Sequence, residues 1–295
     1  MRLLAWGELL WDLFLDGPRL GGAAANVTYH AARLGAESLL VSRVGADDLG
    51  RRALAELGRA GVDTRHVGVD SERPTGTVRV ELLGREARFA IGEQVAWDRI
   101  SWSPALARDI ARVDVVVFGT LAQRTPLGAG ALATALAHTA PDAWHLCDLN
   151  LRAPFVGRGV VDASLRQAHA VKLNEQEAAE LGELFDTRDP VSWLLGQPTI
   201  RLVALTLGAR GSVLAARGER YEHPGFALSD GAGDSVGAGD AFTAALATLL
   251  PRGCSLPTMA SVANRYAAFV ASCPGAMPPV PPGILDELAR LGSGP

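Results

Sequence analysis

Strand-length apolar runs alternate with Ala- and Leu-rich stretches along most of the chain. Near-continuous apolar segments predict strands at residues 3–5, 38–44, 113–118, 144–148, 170–173, 202–206 and 212–216. Helical spacing of apolar positions predicts helices at 24–34, 50–60, 127–138, 175–184, 240–250, 259–271 and 284–291. Apolar strands separated by helices predict a parallel sheet covered on both faces, an α/β protein in three layers. Two segments break the rhythm. Residues 9–15 are long for a single central strand. In 76–91, Val78, Val80 and Leu82 alternate before Gly84, and Phe89 and Ile91 follow, as in a hairpin with one apolar face. With no helix nearby in sequence to pack on, these segments predict a small β-sheet lid, formed by about 9–20 and 68–96, on a single domain spanning 1–295. The Pro-rich stretch 274–282 reads as a loop before the last helix.

Composition narrows the function. With 295 residues, 48% of them hydrophobic, the chain can build one large core. A net charge of −4 argues against broad binding to nucleic acid or an anionic membrane, so neither is expected as a partner. The three cysteines, Cys147, Cys254 and Cys273, form no Cys-x-x-Cys or Cys/His cluster; a disulfide framework or structural zinc is not expected, and a reducing cytoplasm fits. The first residues carry Glu8 and Asp12 and lack a small-residue cleavage site, and no apolar run is long enough to span a bilayer, so a soluble cytoplasmic protein is expected. Of the 28 basic residues only Lys172 is a lysine, and no glycine precedes it in Gln167-Ala168-His169-Ala170-Val171. A Walker-type phosphate loop is therefore absent, and any phosphate chemistry needs another device.

One such device is visible at residues 234–242, DSVGAGDAF. Gly237-Ala238-Gly239 is small and flexible, and the residues after it are strong helix formers. A glycine turn feeding a helix N-terminus presents free N–H groups and the positive end of the helix dipole to an anion. Asp240 sits at the mouth of this turn, where the helix start should keep it ionised at neutral pH as a weak base. On the local pattern alone two readings stand: a site for phosphoryl transfer, or an ordinary helix cap behind a glycine turn.

DSVGAGDAF closely resembles the signature D-[ST]-x-G-A-G-D-[AS]-F of the ribokinase-like (PfkB) carbohydrate kinases. Five further segments resemble that family's motifs in the family's order: Gly21-Gly22-Ala23-Ala24-Ala25-Asn26, Arg43-Val44-Gly45-Ala46-Asp47-Asp48-Leu49-Gly50, Asp148-Leu149-Asn150-Leu151-Arg152, Asn174-Glu175-Gln176-Glu177 and Thr206-Leu207-Gly208-Ala209-Arg210-Gly211. Each is short, and their ordered co-occurrence from Gly21 to Phe242 is what is specific. The resemblance implies a three-layer αβα ribokinase-like fold with a mostly parallel central sheet and a small β lid. It implies an ATP- and Mg²⁺-dependent sugar kinase.

At matching positions the resemblance implies roles. Asp240 would be the catalytic base, with the amides of Gly237, Ala238 and Gly239 as the anion hole. Arg152 would offer a planar cation to the phosphoryl group, a surface salt bridge being the alternative. Asn174 and Glu177 would organise Mg²⁺ and the phosphates through water. Thr206, Gly208 and Gly211 would line the nucleotide site. Asn264 falls near the usual adenine pocket, or faces solvent on its helix. Asp12, Gly22 and Asn26 match sugar-hydroxyl positions; a cap or an arginine partner is the alternative for Asp12, and an N-terminal cap for Asn26. Many family members also bind a monovalent cation beside the anion hole. Here backbone carbonyls around Asp234, Val236, Val270, Cys273 and Gly275 would supply it, although Pro279 stands where the K⁺-dependent pattern often has serine.

Gly7-Glu8-Leu9-Leu10-Trp11-Asp12 resembles the opening of fructokinase-like members, with Leu10 where the ribokinase pattern has asparagine. Glu8 is expected to serve a structural hydrogen bond near the sheet. Fructose (fructokinase activity, EC 2.7.1.4) therefore ranks first, 2-keto-3-deoxygluconate or other ketoses second, and ribose or a nucleoside third. The hairpin's exposed face is expected to pair with another subunit, giving a homodimer. Two rivals come from other classes. A nicotinamide-dependent oxidoreductase needs G-x-G-x-x-G after the first strand, but Gly7 is followed by Glu8 and Leu9. A catalytically silent sugar-binding regulator would carry damage at Asp240, Gly237 or Gly239, and those residues are intact.

Overall fold

The computed structural model describes residues 1–14, 17–83, 86–155, 157–228 and 233–292. Its elements are, in chain order, β1 (Arg2–Trp6), β2 (Leu10–Phe14), β3 (Gly17–Gly21), α1 (Ala23–Arg33), β4 (Glu37–Gly45), α2 (Asp48–Arg59), β5 (Asp63–Asp70), β6 (Gly76–Leu83), β7 (Glu86–Ile91), α3 (Pro104–Ile110), β8 (Val115–Gly119), α4 (Pro126–Leu136), β9 (Trp144–Asp148), α5 (Arg158–Gln167), β10 (Ala170–Asn174), α6 (Glu175–Phe185), α7 (Pro190–Leu195), β11 (Leu202–Thr206), β12 (Ser212–Ala216), β13 (Glu219–His223), α8 (Ala238–Leu249), α9 (Leu256–Ala271) and α10 (Pro282–Gly292).

Nine strands form the large sheet in the order β13-β12-β11-β10-β9-β8-β1-β4-β5. From β5 to β11 all neighbours pair in parallel; β12 and β13 pair antiparallel at one edge. Because side chains alternate across a strand, each strand feeds two cores. Leu3, Ala5, Val115, Val117, Leu146, Ala170, Leu202 and Ala204 pack with residues of α1, α2, α8 and α9. Leu4, Trp6, Val116, Phe118, Cys147, Val171, Leu173 and Val203 pack with residues of α3 to α7. These are the expected three layers.

The second sheet, β3-β2-β6-β7, takes its strands β2, β6 and β7 from the two segments that break the rhythm, of which residue 15 lies outside the described residues. The strands of 76–91 pair as the expected antiparallel hairpin, β6 with β7, and residues 84 and 85 lie outside the described residues. β2 joins it in parallel through Asp12 opposite Val78. Residues 68–70, read from sequence as lid, belong instead to β5 at the edge of the large sheet. The sequence patterns miss β5 and β13, whose residues DTRHVGVD and ERYEH are largely polar. Both are edge strands, which lack a neighbour on one side and need no continuous apolar run. The short helices α3, α5 and α7 are also missed.

Candidate active site

The C-terminal ends of the parallel strands open into a cleft of roughly 550 Å³, the position where open α/β sheets hold ligands. Its roof is the small sheet: Leu10, Asp12 and Phe14 of β2, Val78 of β6 and Ile91 of β7 face it. The intervening Leu9, Trp11 and Leu13 pack into or against the core. The floor holds Glu8, Asn26, Asn150, Arg152, Lys172, Asn174, Glu177, Gly237, Gly239 and Asp240.

Gly237 caps α8 at φ 77°, a left-handed conformation that suits glycine, and a Cβ there would lie 2.7 Å from Ala276 Cα. Of the three amides expected to form the anion hole, Ala238 N donates to Ser235 O at 3.3 Å within the turn. Gly237 N and Gly239 N meet no acceptor among the described residues. Free amides at the start of a helix are groups that can receive an anion.

Asp240 corrects the sequence expectation. It does not stay an ordinary ionised carboxylate. Burial and the nearby Asp148 push its pKa up to about 7, against the opposing pull of Asn26 and Lys172. Desolvation outweighs the helix start, and the result is a group poised to take a proton near neutrality. Asn26, inside α1 rather than capping it, donates Nδ2 to Asp240 Oδ2 at 2.7 Å. Its own Oδ1 is buried and has no hydrogen-bond partner among the described residues. Gly22 starts α1 at φ 102°; a Cβ there would lie 2.4 Å from Glu8 O. Glu8 accepts from Ala23 N at 3.2 Å, the structural hydrogen bond expected of it. Asp12 meets no hydrogen-bond donor or ion-pair partner among the described residues, and burial raises its pKa to about 6.

Asn174 and Glu177 form a capping box at α6. Asn174 Oδ1 accepts from Glu177 N at 2.8 Å, and Glu177 Oε2 accepts from Asn174 N at 2.8 Å. Glu177 Oε1 takes Leu151 N at 3.3 Å. With both carboxylate oxygens engaged, and no cluster of three His, Cys, Asp or Glu residues among the described residues, Mg²⁺ would fit here through water and phosphate oxygens. Arg152 is exposed in the cleft, bonds Leu151 O at 3.1 Å and has no ion pair among the described residues, so the surface salt bridge is not formed.

The nucleotide candidates lie beside this cleft rather than in its lining. Thr206 ends β11 opposite Asn174. Gly211, at φ 88°, approaches β13 so closely that a Cβ would sit 1.9 Å from His223 O; Gly208 has φ 60°. Asn264 does not face solvent. It is buried and donates to Ser212 Oγ at 2.7 Å and to Ala260 O at 2.8 Å.

The loops expected to carry a monovalent cation do meet. Asp234 accepts from Val236 N and Gly275 N, and its carboxylate lies 3.6 Å from Arg19 of β3. Val270 O, at the end of α9, accepts from Cys273 N at 2.9 Å.

Sequence reasoning misses a buried network next to Asp240. Asp148 Oδ1 accepts from Lys172 Nζ at 3.1 Å, and Asp148 Oδ2 accepts from Thr243 Oγ1 of α8 at 2.7 Å. The signal that could have found it is one lysine in the otherwise apolar run Ala170-Val171-Lys172-Leu173.

The pfkB carbohydrate-kinase family model matches residues 18–282. The chain belongs to the pfkB family of carbohydrate kinases. A fructokinase of Klebsiella pneumoniae is 31% identical, over 98% of each chain. A Pyrococcus horikoshii sugar kinase solved in complex with ATP is 26% identical with a TM-score of 0.76, covering 93% of this chain and 94% of the other. The Xylella fastidiosa fructokinase with bound ATP superposes at a TM-score of 0.87 over 99% of both chains, at 22% identity, a likeness of fold. Four of the six motif segments that carry the family resemblance, at 21–26, 148–152, 174–177 and 234–242, supply residues to the cleft of this pfkB member. Among its described residues no helix is long and apolar enough to cross a membrane.

Proposed function

We propose that this carbohydrate kinase transfers the γ-phosphoryl group of ATP to a primary hydroxyl of fructose, with Asp240 as the base. One observation carries the reading: a carboxylate tuned to neutrality stands beside the free amides that open α8, in a cleft roofed by the small sheet. The sugar oxygen attacks the γ-phosphorus, the bond to the leaving phosphate breaks with its electron pair going to ADP, and the hydroxyl proton passes to Asp240. Asn26 orients that carboxylate, and its unpartnered Oδ1, with Asp12, offers acceptors to sugar hydroxyls. Gly237 N and Gly239 N stabilise the charge that develops on the transferring group. Bound Mg²⁺ would neutralise phosphate charge, held through water near Asn174 and Glu177. Thr206, Gly208, Gly211 and Asn264 would serve the nucleotide side. A monovalent cation would sit between the carbonyls near Asp234 and Gly275.

Fructose leads because Leu10 presents an apolar side chain to the cleft where a ribose site would need a polar one, and because of the 31% identical fructokinase. Arg152, in the same cleft and without an ion pair among the described residues, favours a second reading, in which it holds the carboxylate of 2-keto-3-deoxygluconate. ADP release measured against ketoses, aldoses, keto-deoxy acids and nucleosides decides between them. The expected result is the highest kcat/KM with fructose; a higher value with a nucleoside or ribose would contradict the assignment.

A further inference from the structure

Twenty-seven of the 28 basic residues of this chain are arginine; the one lysine stands at the floor of the cleft. Lys172 lies on the face of β10 that packs toward α8, in register with Ala170 of the core, and is only 6% exposed. Burying an ammonium costs several kcal/mol unless its charge and its three N–H donors are met. The charge is met. Asp148 Oδ1 forms an ion pair with Nζ at 3.1 Å, and Glu177 and Asp240 line the same floor. The donors are not met: among the described residues Nζ has one hydrogen-bond partner, Asp148 Oδ1.

The remaining N–H groups lie at the cleft. A Cβ built on Gly239 would stand 3.2 Å from Nζ, so the ammonium lies directly against the anion hole, and Lys172 lines the cleft with Gly239 and Asp240. A Cβ at 239 would crowd the ammonium, and glycine leaves the approach open. The other charged groups facing Nζ are Asp148 from β9, Glu177 from α6 and Asp240 from α8; Arg152 and Glu8 line the same floor. The amides of the anion hole are neutral, and they stabilise an anion less than a desolvated cation does. A compact ammonium suits the space between Asp148 and Gly239 better than a planar guanidinium would.

The geometry points to Lys172 as a further catalytic residue, one that donates hydrogen bonds from beneath Gly239 to the phosphoryl group in transfer. This rests on the kinase reading above. Asp148 holds the ammonium and is itself held by the Thr243 hydroxyl, tying β9 and β10 to α8. As the sugar oxygen bonds to phosphorus and ADP departs, Lys172 keeps its proton and lends charge only, while Asp240 takes the hydroxyl proton.

Two variants and their combination test this. Lys172→Met should lower kcat by about 10²–10³-fold, the loss typical of removing one preorganised donor. The KM for the sugar and the Kd for ATP should stay within a few-fold. Affinity for ADP with aluminium fluoride, which imitates the phosphoryl in transfer, should fall with kcat. Because Lys172→Met leaves Asp148 buried and unpaired, Asp148→Asn supplies a second background on which the fold need not hold a lone charge. If Lys172 acts on the phosphoryl group, Lys172→Met lowers kcat by the same factor in the Asp148→Asn background. If it only neutralises Asp148, the second substitution changes nothing there, and the inference falls. Wild-type turnover by Lys172→Met would overturn it equally, while leaving the kinase reading intact. A wild-type protein that turns over no sugar would sink the kinase reading itself, and this inference with it.

Discussion

The carboxylate of Asp240 shows how far a residue's chemistry depends on its surroundings. The sequence places it beside a helix start, which favours ionisation; the folded chain puts Asp148 and Glu8 near it and removes water, which disfavours ionisation more. A base must be unprotonated to accept the sugar proton, and a raised pKa means that Asp240 holds its own proton below about 7. Turnover should therefore fall as pH drops through about 7, rather than near the usual carboxylate value of 3.8. A kcat/KM profile between pH 5 and 9 checks this, and a flat profile down to pH 5 would contradict it. The motif residues make Asp240, Asn26 and Gly237 legible in the sequence itself. Lys172 is legible there only as an oddity of composition, because nothing in its local pattern reveals that β9 and α8 bring a carboxylate and an anion hole to its side chain.

At the scale of elements, the strand ends and helix starts do the positioning. Asn174 closes β10 and caps α6 in the same stroke, so its motif partner Glu177 is fixed three residues later by a reciprocal backbone bond. Asn174→Ala should cost about 1 kcal/mol of stability through the lost cap. It should also weaken ATP binding, since it frees the Glu177 amide at the start of α6 and loosens the turn that carries Glu177. Denaturant unfolding without ligand separates the two effects, and unchanged stability would contradict the capping role. Regular, well-buried elements read closely from sequence: residues 144–148, 202–206 and 212–216 coincide with β9, β11 and β12. The edge strands β5 and β13 are not legible, because an edge asks for fewer apolar positions than a centre does. The roof over the cleft is legible as an interruption of the α/β rhythm. Its alternation of cleft-facing and core-facing residues in β2 is hidden, because Leu9, Leu10, Trp11, Leu13 and Phe14 are all apolar.

At the scale of the molecule, two cores on opposite faces of one large sheet hold the strand ends rigid, and the cleft forms where those ends meet the small sheet. The groups that meet there come from far apart in sequence: Asp12 and Asn26 near the start, Asp148 and Lys172 in the middle, Asp240 near the end. The ordered motifs make that convergence readable as a family resemblance, although no single segment contains it. Its chemical meaning rests on Asp240 acting as the base. The most direct measurement is the turnover of Asp240→Asn with ATP, Mg²⁺ and the best sugar of the panel, alongside calorimetric binding of that sugar. We expect kcat to fall by at least about 10²-fold, as for loss of a positioned general base, with the sugar Kd held within several-fold. Turnover equal to that of the wild type would contradict the account.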